Sequence, residues 1–302
     1  MRLPISSPLL PVGALLMAML SFQFGAALAK QLFPLVGAEG ATAIRLGLGA
    51  LILWLLRRPW RNLSGQRDWA SLAGYGLTLG LMNLFFYMAL RTLPLGIAVA
   101  LEFLGPLAIA LFGSRRALDL VWVALVVAGL ALLLPYGENA PSLDPIGVAY
   151  ALAAAAGWAA YILLGRRAGD AFGKDAVALG SAIGAFVAVP IGIAHAGSAL
   201  FSLSIVPFAV GVAILSSALP YSLEMFALTR LPARTIGILV SLEPAMGALL
   251  GLLFLGERLS AFQWSAIGAV IVASMGAVLT AREARVESVR DATTAPIDAS
   301  LP

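Results

Sequence analysis

The sequence has 302 residues, of which 61% are hydrophobic and 11% charged, whereas soluble domains average roughly 45–50% apolar and about 25% charged residues. So few charges could not cover the surface of a soluble domain. The net charge is only +4 and the arginines lie in short loops, which argues against nucleic acid as a partner. The absence of cysteine excludes disulfides and thiol catalysis, and a single histidine, His195, predicts no metal site and no cofactor.

Ten apolar segments are long enough to cross a bilayer as α-helices, since a span needs about 20 mostly apolar residues. They cover residues 11–31, 38–56, 69–90, 95–113, 118–135, 146–165, 175–194, 205–228, 233–254 and 261–280. The first does not end at a small-residue cleavage site, so we expect it to be retained as a span. A polar gap at 136–145 divides the chain into two five-helix halves, 11–135 and 146–281, followed by a tail, 282–302, that is predicted to be disordered and cytoplasmic.

The basic residues predict the orientation of the spans. With the N-terminus in the cytoplasm, 15 of the 19 Lys and Arg residues fall on the cytoplasmic side. Only Lys30, Arg91 and Arg258 fall outside, and Arg45 lies within a span. Both termini are therefore predicted to be cytoplasmic. Because each half has an odd number of spans, the second half must be inverted.

One phrase of sequence occurs twice, at a constant offset of 138 residues. The first copy contains Ala89-Leu90, Leu93-Pro94, Leu104, Pro106, Ala110-Leu111 and Gly113; the second contains Ala227-Leu228, Leu231-Pro232, Leu242, Pro244, Ala248-Leu249 and Gly251. Weaker matches pair Phe24-Gly25 with Trp158-Ala159, and Gly49 with Gly184. A duplicated unit inserted upside down is typical of secondary transporters, whose substrate site lies near the membrane midplane between the repeats.

Five ionisable side chains are counted within the predicted spans, where a charge costs roughly 2.5–3.5 kcal/mol on insertion scales. They are Lys30, Arg45, Glu102, Glu224 and Glu243. Lys30 lies near the outer end of its span, so it can either extend to the interface or act in gating. Arg45 has no such exit, and its planar guanidinium suits either a substrate carboxylate or a buried structural partner.

Two of these carboxylates lie beside the prolines of the repeated phrase. Pro106 frees the backbone carbonyl four residues earlier, that of Glu102, so a kink would present a carboxylate and an unpaired carbonyl together. Glu102 is therefore predicted to bind a substrate ammonium or a coupling proton, or else to pair with Arg45. Glu243, directly before Pro244, is a second candidate for coupling or gating.

The eighth span carries a polar stripe. Ser217, Tyr221 and Glu224 share one helical face beside Pro220. Such a stripe in an apolar helix faces a cavity or another helix rather than lipid. Tyr221 is a candidate substrate contact, and Glu224 a candidate for gating or binding.

Two further pairs lie at helical spacing. Asn83 and Tyr87 are four residues apart in the third span, and Trp158 and Tyr161 share a face of the sixth. All four are candidate substrate contacts, and packing is the alternative for the aromatic residues.

Ten spans in two halves, with prolines recurring in the fourth and ninth, resemble the drug/metabolite transporter superfamily and its EamA domain. Residues 32–38, 93–103 and 213–225 are similar to the bacterial inner-membrane threonine/homoserine exporters. The resemblance extends from about residue 13 to residue 280. It implies efflux of threonine, homoserine and related compounds from the cytoplasm across the inner membrane, and it offers no catalytic residue to transfer.

The sequence therefore predicts an all-α integral membrane exporter, not an enzyme, that works by alternating access with a cavity between spans 1–4 and 6–9. Pro106, Pro220 and Pro244 would allow the helices to rock. The chain has no Gly-Lys-Ser/Thr phosphate loop for ATP, so the buried carboxylates suggest protons as the coupling partner.

Three alternatives remain at this point. Export of another small metabolite or a drug-like compound would be favoured by a wide aromatic cavity with Arg45 paired away from it. An integral-membrane enzyme acting on lipid-linked substrates would need acids clustered at one membrane face. A non-transporting scaffold would explain neither the inverted repeat nor the interior charges.

Overall fold

The computed structural model describes residues 9–61, 68–112, 117–132, 143–228, 230–231 and 233–294, and this part of the chain consists of helices joined by short turns and loops, without a strand. The α-helices are α1 (Leu9–Gln31), α2 (Phe33–Arg57), α3 (Trp69–Ala89), α4 (Leu95–Glu102), α5 (Leu104–Phe112), α6 (Ala117–Ala131), α7 (Pro145–Phe172), α8 (Ala176–Ala196), α9 (Val206–Ala213), α10 (Leu219–Leu228), α11 (Ala233–Val240), α12 (Glu243–Leu255) and α13 (Ala261–Thr294). Short 3₁₀ segments lie at Pro59–Arg61, Gly173–Asp175, Gly197–Phe201 and Leu203–Ile205, and a π-helical segment at Ile214–Ala218 joins α9 to α10.

The helices account for the ten predicted spans. Among the described residues, seven helices are long and apolar enough to cross a membrane, and three shorter apolar helices complete the set. In span order these are α1, α2, α3, α4–α5, α6, α7, α8, α9–α10, α11–α12 and α13. The chain is thus an all-α, multi-pass membrane protein. The predicted end of the fifth span, 133–135, and most of the predicted border between the halves, 136–142, lie outside the described residues.

Spans 4 and 9 are broken at equivalent places. The fourth is interrupted at Phe103 and the ninth at 241–242, positions that correspond across the 138-residue offset. Each break lies just before a proline, because Pro106 and Pro244 have no amide hydrogen for the preceding turn. Pro244 occupies the first turn of α12, where proline is tolerated. The repeated phrase therefore encodes a repeated discontinuity.

The eighth span widens rather than breaks. The π-helical segment Ile214–Ala218 directly precedes Pro220, and the Leu219 amide donates to the Ile214 carbonyl, five residues back. Pro220 would clash with the Ser216 carbonyl in a regular helix, and the wider turn relieves that clash. The Ser21 hydroxyl of α1 donates to the Leu215 carbonyl at 2.7 Å, so α1 satisfies part of the widened turn.

Two helix ends differ from the prediction. α2 begins at Phe33 but contains a kink at Gly37, whose φ of 71° is readily adopted only by glycine. The regular helix beyond that kink starts where the second span is predicted to start. α13 continues to Thr294, whereas the sequence predicted a disordered tail from residue 282. Ala, Arg and Glu are abundant in 281–291, and their high helix propensity explains the extension.

The packing of the two halves is reciprocal. α3 packs on α7 and α8, while α9–α10 packs on α1 and α2. In span order, α3 corresponds to α9–α10, α1 to α7 and α2 to α8. When each span is replaced by its counterpart, the first set of packed pairs becomes the second. The pairs α2 with α8, α4 with α12 and α6 with α13 are each converted into themselves. α4 is buried along its whole length, so this short helix lies at the centre of the bundle.

Glycines allow the reciprocal helices to approach closely. A Cβ on Gly49 of α2 would lie 2.6 Å from the Ser217 hydroxyl, and one on Gly184 of α8 would lie 2.9 Å from a methyl of Leu79. Leu79 and Ser217 are 138 positions apart. The weakly matched pair Gly49 and Gly184 therefore serves the same purpose in the two halves.

Candidate functional site

A cavity of about 170 Å³ lies between helices of both halves. Four of the five ionisable residues predicted from the spans line it, namely Arg45, Glu102, Glu224 and Glu243. Asn83, Trp158 and Tyr161, also predicted, share the wall with Gln23 and with apolar side chains of α1 and α3. The structure therefore brings together residues that the chain separates by up to about 220 positions.

The carboxylates lie where the helices are interrupted. Glu102 is the last residue of α4 and is 9% exposed, and Glu243 is the first residue of α12. Glu224 reaches the cavity from α10. The interruptions of spans 4 and 9 thus place two carboxylates at the cavity, and discontinuous helices of this kind form the binding sites of secondary transporters.

The charges lining the cavity are unequal. Three carboxylates face one guanidinium, and Glu102 and Glu224 are both close enough to Glu243 to repel it. Arg45 attracts Glu102 from α2. With all three carboxylates ionised the site holds excess negative charge in a poorly solvated place, so a cation bound there is favoured.

The side chain of Tyr87 contacts the guanidinium of Arg45. The guanidinium Nη1 donates to the Tyr87 hydroxyl at 3.5 Å, and the guanidinium carbon lies 5.5 Å from the centre of the ring. Tyr87 is fully buried and does not form part of the cavity wall. Tyr87 thus contacts Arg45 instead of lining the cavity, and its role as a substrate contact stays a prediction.

The polar and aromatic wall residues already have protein contacts. The Asn83 amide donates to the Leu79 carbonyl at 2.8 Å within α3. The ring of Tyr161 is stacked on Tyr75 with centroids 4.9 Å apart, and Trp158 meets Phe103 edge to face at 5.6 Å. These aromatic side chains therefore both pack against neighbouring rings and line the cavity. The side chain of Tyr221 lies outside the described residues.

Comparison with known proteins agrees with this architecture. The model of the EamA-like transporter family matches residues 145–279. The chain is 56% identical over 274 residues to the threonine/homoserine exporter RhtA of Escherichia coli strain K12, which covers 91% of this chain and 93% of the relative. The chain belongs to the EamA-like transporter family. RhtA of Salmonella typhimurium strain SL1344 is also 56% identical, over 273 residues, covering 90% of this chain and 92% of the relative.

This EamA-like protein is accordingly a transporter and not an enzyme. The alignment with a solved crystal structure covers 90% of this chain and 98% of the chain in that structure, with a TM-score of 0.58 and 20% sequence identity. At that identity the likeness concerns the fold alone.

Lys30 lies away from the cavity of this EamA-like transporter and joins its two halves. The ammonium donates to a carboxylate oxygen of Glu257 at 2.7 Å and to the Leu93 carbonyl at 2.8 Å. The other Glu257 oxygen accepts from the Leu95 amide at 2.7 Å, at the first turn of α4. Lys30 thus forms an ion pair at the end of α1. We call Lys30, Glu257 and the backbone of Leu93 and Leu95 the latch.

The three predicted hinge prolines lie outside the cavity wall of this EamA-like transporter. Pro220 and Pro244 are buried and Pro106 is partly buried, each beside an irregular turn. Their positions beside irregular turns suit a role in helix geometry.

Three residues of this EamA-like transporter were missed by reasoning from the sequence. Glu39 is a further charge within the second predicted span; it is 8% exposed and its carboxylate lies 3.5 Å from the Arg91 guanidinium. Glu257 lies just beyond a span, where a carboxylate is unremarkable in sequence. Gln23 shares a helical face with Lys30, and only the cavity reveals its importance.

Proposed function

We propose that this protein exports small hydroxylated amino acids, threonine and homoserine, from the cytoplasm. The supporting observation is that Arg45, Glu102 and Glu243 line one small cavity between the two halves. The relatives named above are threonine/homoserine exporters that align over about nine-tenths of this chain.

The charges of the cavity match an amino acid. At neutral pH such a substrate carries one carboxylate and one ammonium on the same carbon. The Arg45 guanidinium binds the carboxylate, for which a planar fork of N–H donors is well suited. Glu102, at the end of α4, accepts from the ammonium and offsets part of the excess negative charge.

The size of the cavity supports the same class of substrate. Its volume of about 170 Å³ is below the roughly 300–1,000 Å³ of pockets that hold drug-sized ligands. Arg45 faces the cavity instead of being directed away from it. Both features disfavour export of a drug-like compound.

Protons are the proposed coupling ion. Glu224 and Glu243 line the cavity beside Glu102 but are not needed to bind a single ammonium. Proton binding to one of these carboxylates offsets the same negative charge that the substrate ammonium offsets. A proton and a substrate would therefore compete for one site, which is the requirement for exchanging one against the other.

Two inverted five-helix repeats, 11–135 and 146–281, are the proposed basis of alternating access. The reciprocal packing of α3 with α7 and α8, and of α9–α10 with α1 and α2, supports this relationship. From the distribution of basic residues, both termini face the cytoplasm and the latch faces the outside of the inner membrane. With the latch closed on the outer side, the substrate enters the cavity from the cytoplasm.

Efflux from proteoliposomes or preloaded cells tests the proposal. Labelled threonine and homoserine should leave faster with the protein than without it, and Arg45→Ala should abolish the increase. Arg45→Lys should restore little, because it keeps the charge but loses the fork. Arg91→Ala is the matched control, since Arg91 is exposed and pairs with Glu39 away from the cavity.

Two outcomes would contradict the proposal. Efflux of neither amino acid from cells that contain the inserted wild-type protein would assign the substrate to another class. Undiminished efflux in Arg45→Ala would remove the carboxylate clamp while leaving amino-acid export intact.

A further inference from the structure

The Gln23 side chain stands out among the neutral polar groups of the cavity. Gln23 lines the wall from α1 and is 6% exposed. Its carboxamide oxygen is buried and has no hydrogen-bond partner among the residues that the structure describes. An unpaired buried acceptor is costly, by about 1–3 kcal/mol in protein mutational data, and native proteins retain few of them.

The position of this amide places it beside the charged groups. A Cβ on Gly247 would lie 3.3 Å from the Gln23 oxygen, and Gly247 is one helical turn after Glu243 in α12. The head of Gln23 therefore lies between α1 and the first turns of α12. A substrate held by Arg45 and Glu102 presents its side chain to the rest of the same small wall.

Other neutral polar groups of that wall are already engaged. The Asn83 amide is bonded to its own helix, and the Tyr161 hydroxyl lies 3.3 Å from that of Tyr75. Among the described residues, Gln23 is thus the neutral wall residue with a fully buried side-chain oxygen that lacks a hydrogen-bond partner.

We propose that the Gln23 carboxamide hydrogen-bonds the side-chain hydroxyl of the substrate and so determines specificity for hydroxylated four-carbon amino acids. This assignment rests on the proposed export function. Threonine and homoserine differ in the position of one hydroxyl, and removing it from either leaves the same compound, 2-aminobutyrate. A carboxamide on a flexible stem can reach a hydroxyl at either carbon, and it both donates and accepts.

Comparing 2-aminobutyrate with the two hydroxylated amino acids isolates this contact. A site that hydrogen-bonds a substrate hydroxyl rejects the analogue that lacks it, because its polar group is then left unpaired. Gln23→Met keeps the length of the side chain and removes the amide. In proteoliposomes, we expect it to lower the preference for threonine over 2-aminobutyrate about ten-fold or more. Export of 2-aminobutyrate should stay at the wild-type rate or rise.

Three further measurements make the test specific. Gln23→Asn keeps an amide on a shorter stem and should retain part of the preference. Gln31→Met makes the same chemical change at an exposed position of the same helix and should leave the preference unchanged. Gln23→Met should melt in detergent no lower than wild type, because it removes an unpaired buried oxygen.

The outcomes separate this inference from the proposed function. Parallel loss of threonine, homoserine and 2-aminobutyrate export in Gln23→Met would mean a structural role and overturn the inference, as would an unchanged preference. A wild-type protein that exports none of the three would overturn the proposed function and this assignment together.

Discussion

The Lys30 ammonium and the Glu257 carboxylate lie 2.7 Å apart, although 227 positions separate the two residues in the chain. The pair joins the end of α1, in the first half, to the loop that follows α12, in the second. Glu257 also accepts from the Leu95 amide, so this one carboxylate connects three segments at one end of the bundle. Because the two side chains are only 21% and 14% exposed, water competes weakly for them.

Opening the latch should expose the cavity to the outer side. Hydrogen bonds to charged groups contribute about 1.5–3 kcal/mol each, so Lys30→Met should shift the closed–open equilibrium about ten-fold or more toward the open state. The chain contains no cysteine, which makes Ala26→Cys in the cavity wall a sole reporter. Its labelling by a membrane-impermeant thiol reagent from outside should be faster in the Lys30→Met background.

Controls for the latch are available on the same side. Arg91→Met removes a basic residue that pairs with Glu39 and should not change the labelling rate. The double exchange of Lys30→Glu with Glu257→Lys should slow labelling again relative to Lys30→Met. Equal rates in wild type and Lys30→Met would mean that the ion pair does not hold this end closed.

The carboxylates at the two helix breaks should have separable effects. If Glu102 binds the substrate ammonium, Glu102→Gln should lower both export and exchange of labelled for unlabelled threonine by about ten-fold or more. If Glu243 carries the proton, Glu243→Gln should keep exchange but lose the acceleration produced by an imposed proton gradient. Proteoliposomes with and without a gradient allow both measurements on one sample. If threonine exchange and the response to the proton gradient change together in both variants, the two carboxylates do not have separate roles.

Close helix packing predicts a sharp difference between two glycines. A Cβ on Gly105 of α5 would overlap the Ala155 carbonyl and lie 2.9 Å from its carbon, whereas one on Gly268 of α13 would meet nothing within 4 Å. Gly105→Ala should therefore destabilise the protein by about 1–3 kcal/mol through overpacking. Gly268→Ala should be neutral or slightly stabilising, since alanine favours helix. Thermal unfolding in detergent compares the two, and similar melting temperatures would contradict the packing of α5 on α7.

The start of α7 should lose stability in acid. A hydrogen bond from the Thr92 side chain, with those from the Ile146 and Gly147 amides, lowers the pKa of Asp144. The ordinary pKa of an aspartate is about 3.9. A lowered pKa in the folded state means that the stabilisation is present above the ordinary value and disappears as the pH falls through the lowered one.

Asp144→Asn tests this dependence, because asparagine can cap the helix without titrating. At neutral pH its melting temperature should be close to that of wild type. Below about pH 4 the wild-type value should fall more steeply than that of the variant. Parallel pH profiles would show that Asp144 does not contribute to acid sensitivity.

Local features of the chain predicted much of the fold. Apolar runs of about 20 residues predict spans wherever they occur, because the bilayer rewards burial of apolar surface and requires every backbone group to be bonded within the helix. The repeated Leu-x-Pro phrase likewise predicted that spans 4 and 9 would both be irregular. Proline acts on its own preceding turn, so Phe103 and Ser241 end up at breaks whatever surrounds them.

The candidate site was predicted in part for the same reason. A charge within an apolar run is unfavourable unless it is buried against protein or water, so Arg45, Glu102, Glu224 and Glu243 could be selected without a structure. Glu39 could have been selected by the same rule.

Sequence alone thus determined the membrane class, the helices and the interior charges, all of which depend on a few neighbouring residues. Only the tertiary structure decided which of these charges meet. The rotation and crossing of helices place Tyr87 against Arg45 and bring Glu257 to Lys30. Among the described residues they also leave the Gln23 oxygen without a hydrogen-bond partner. These contacts join residues from different spans, and no local pattern specifies the distance between two helices that pack through many small side chains.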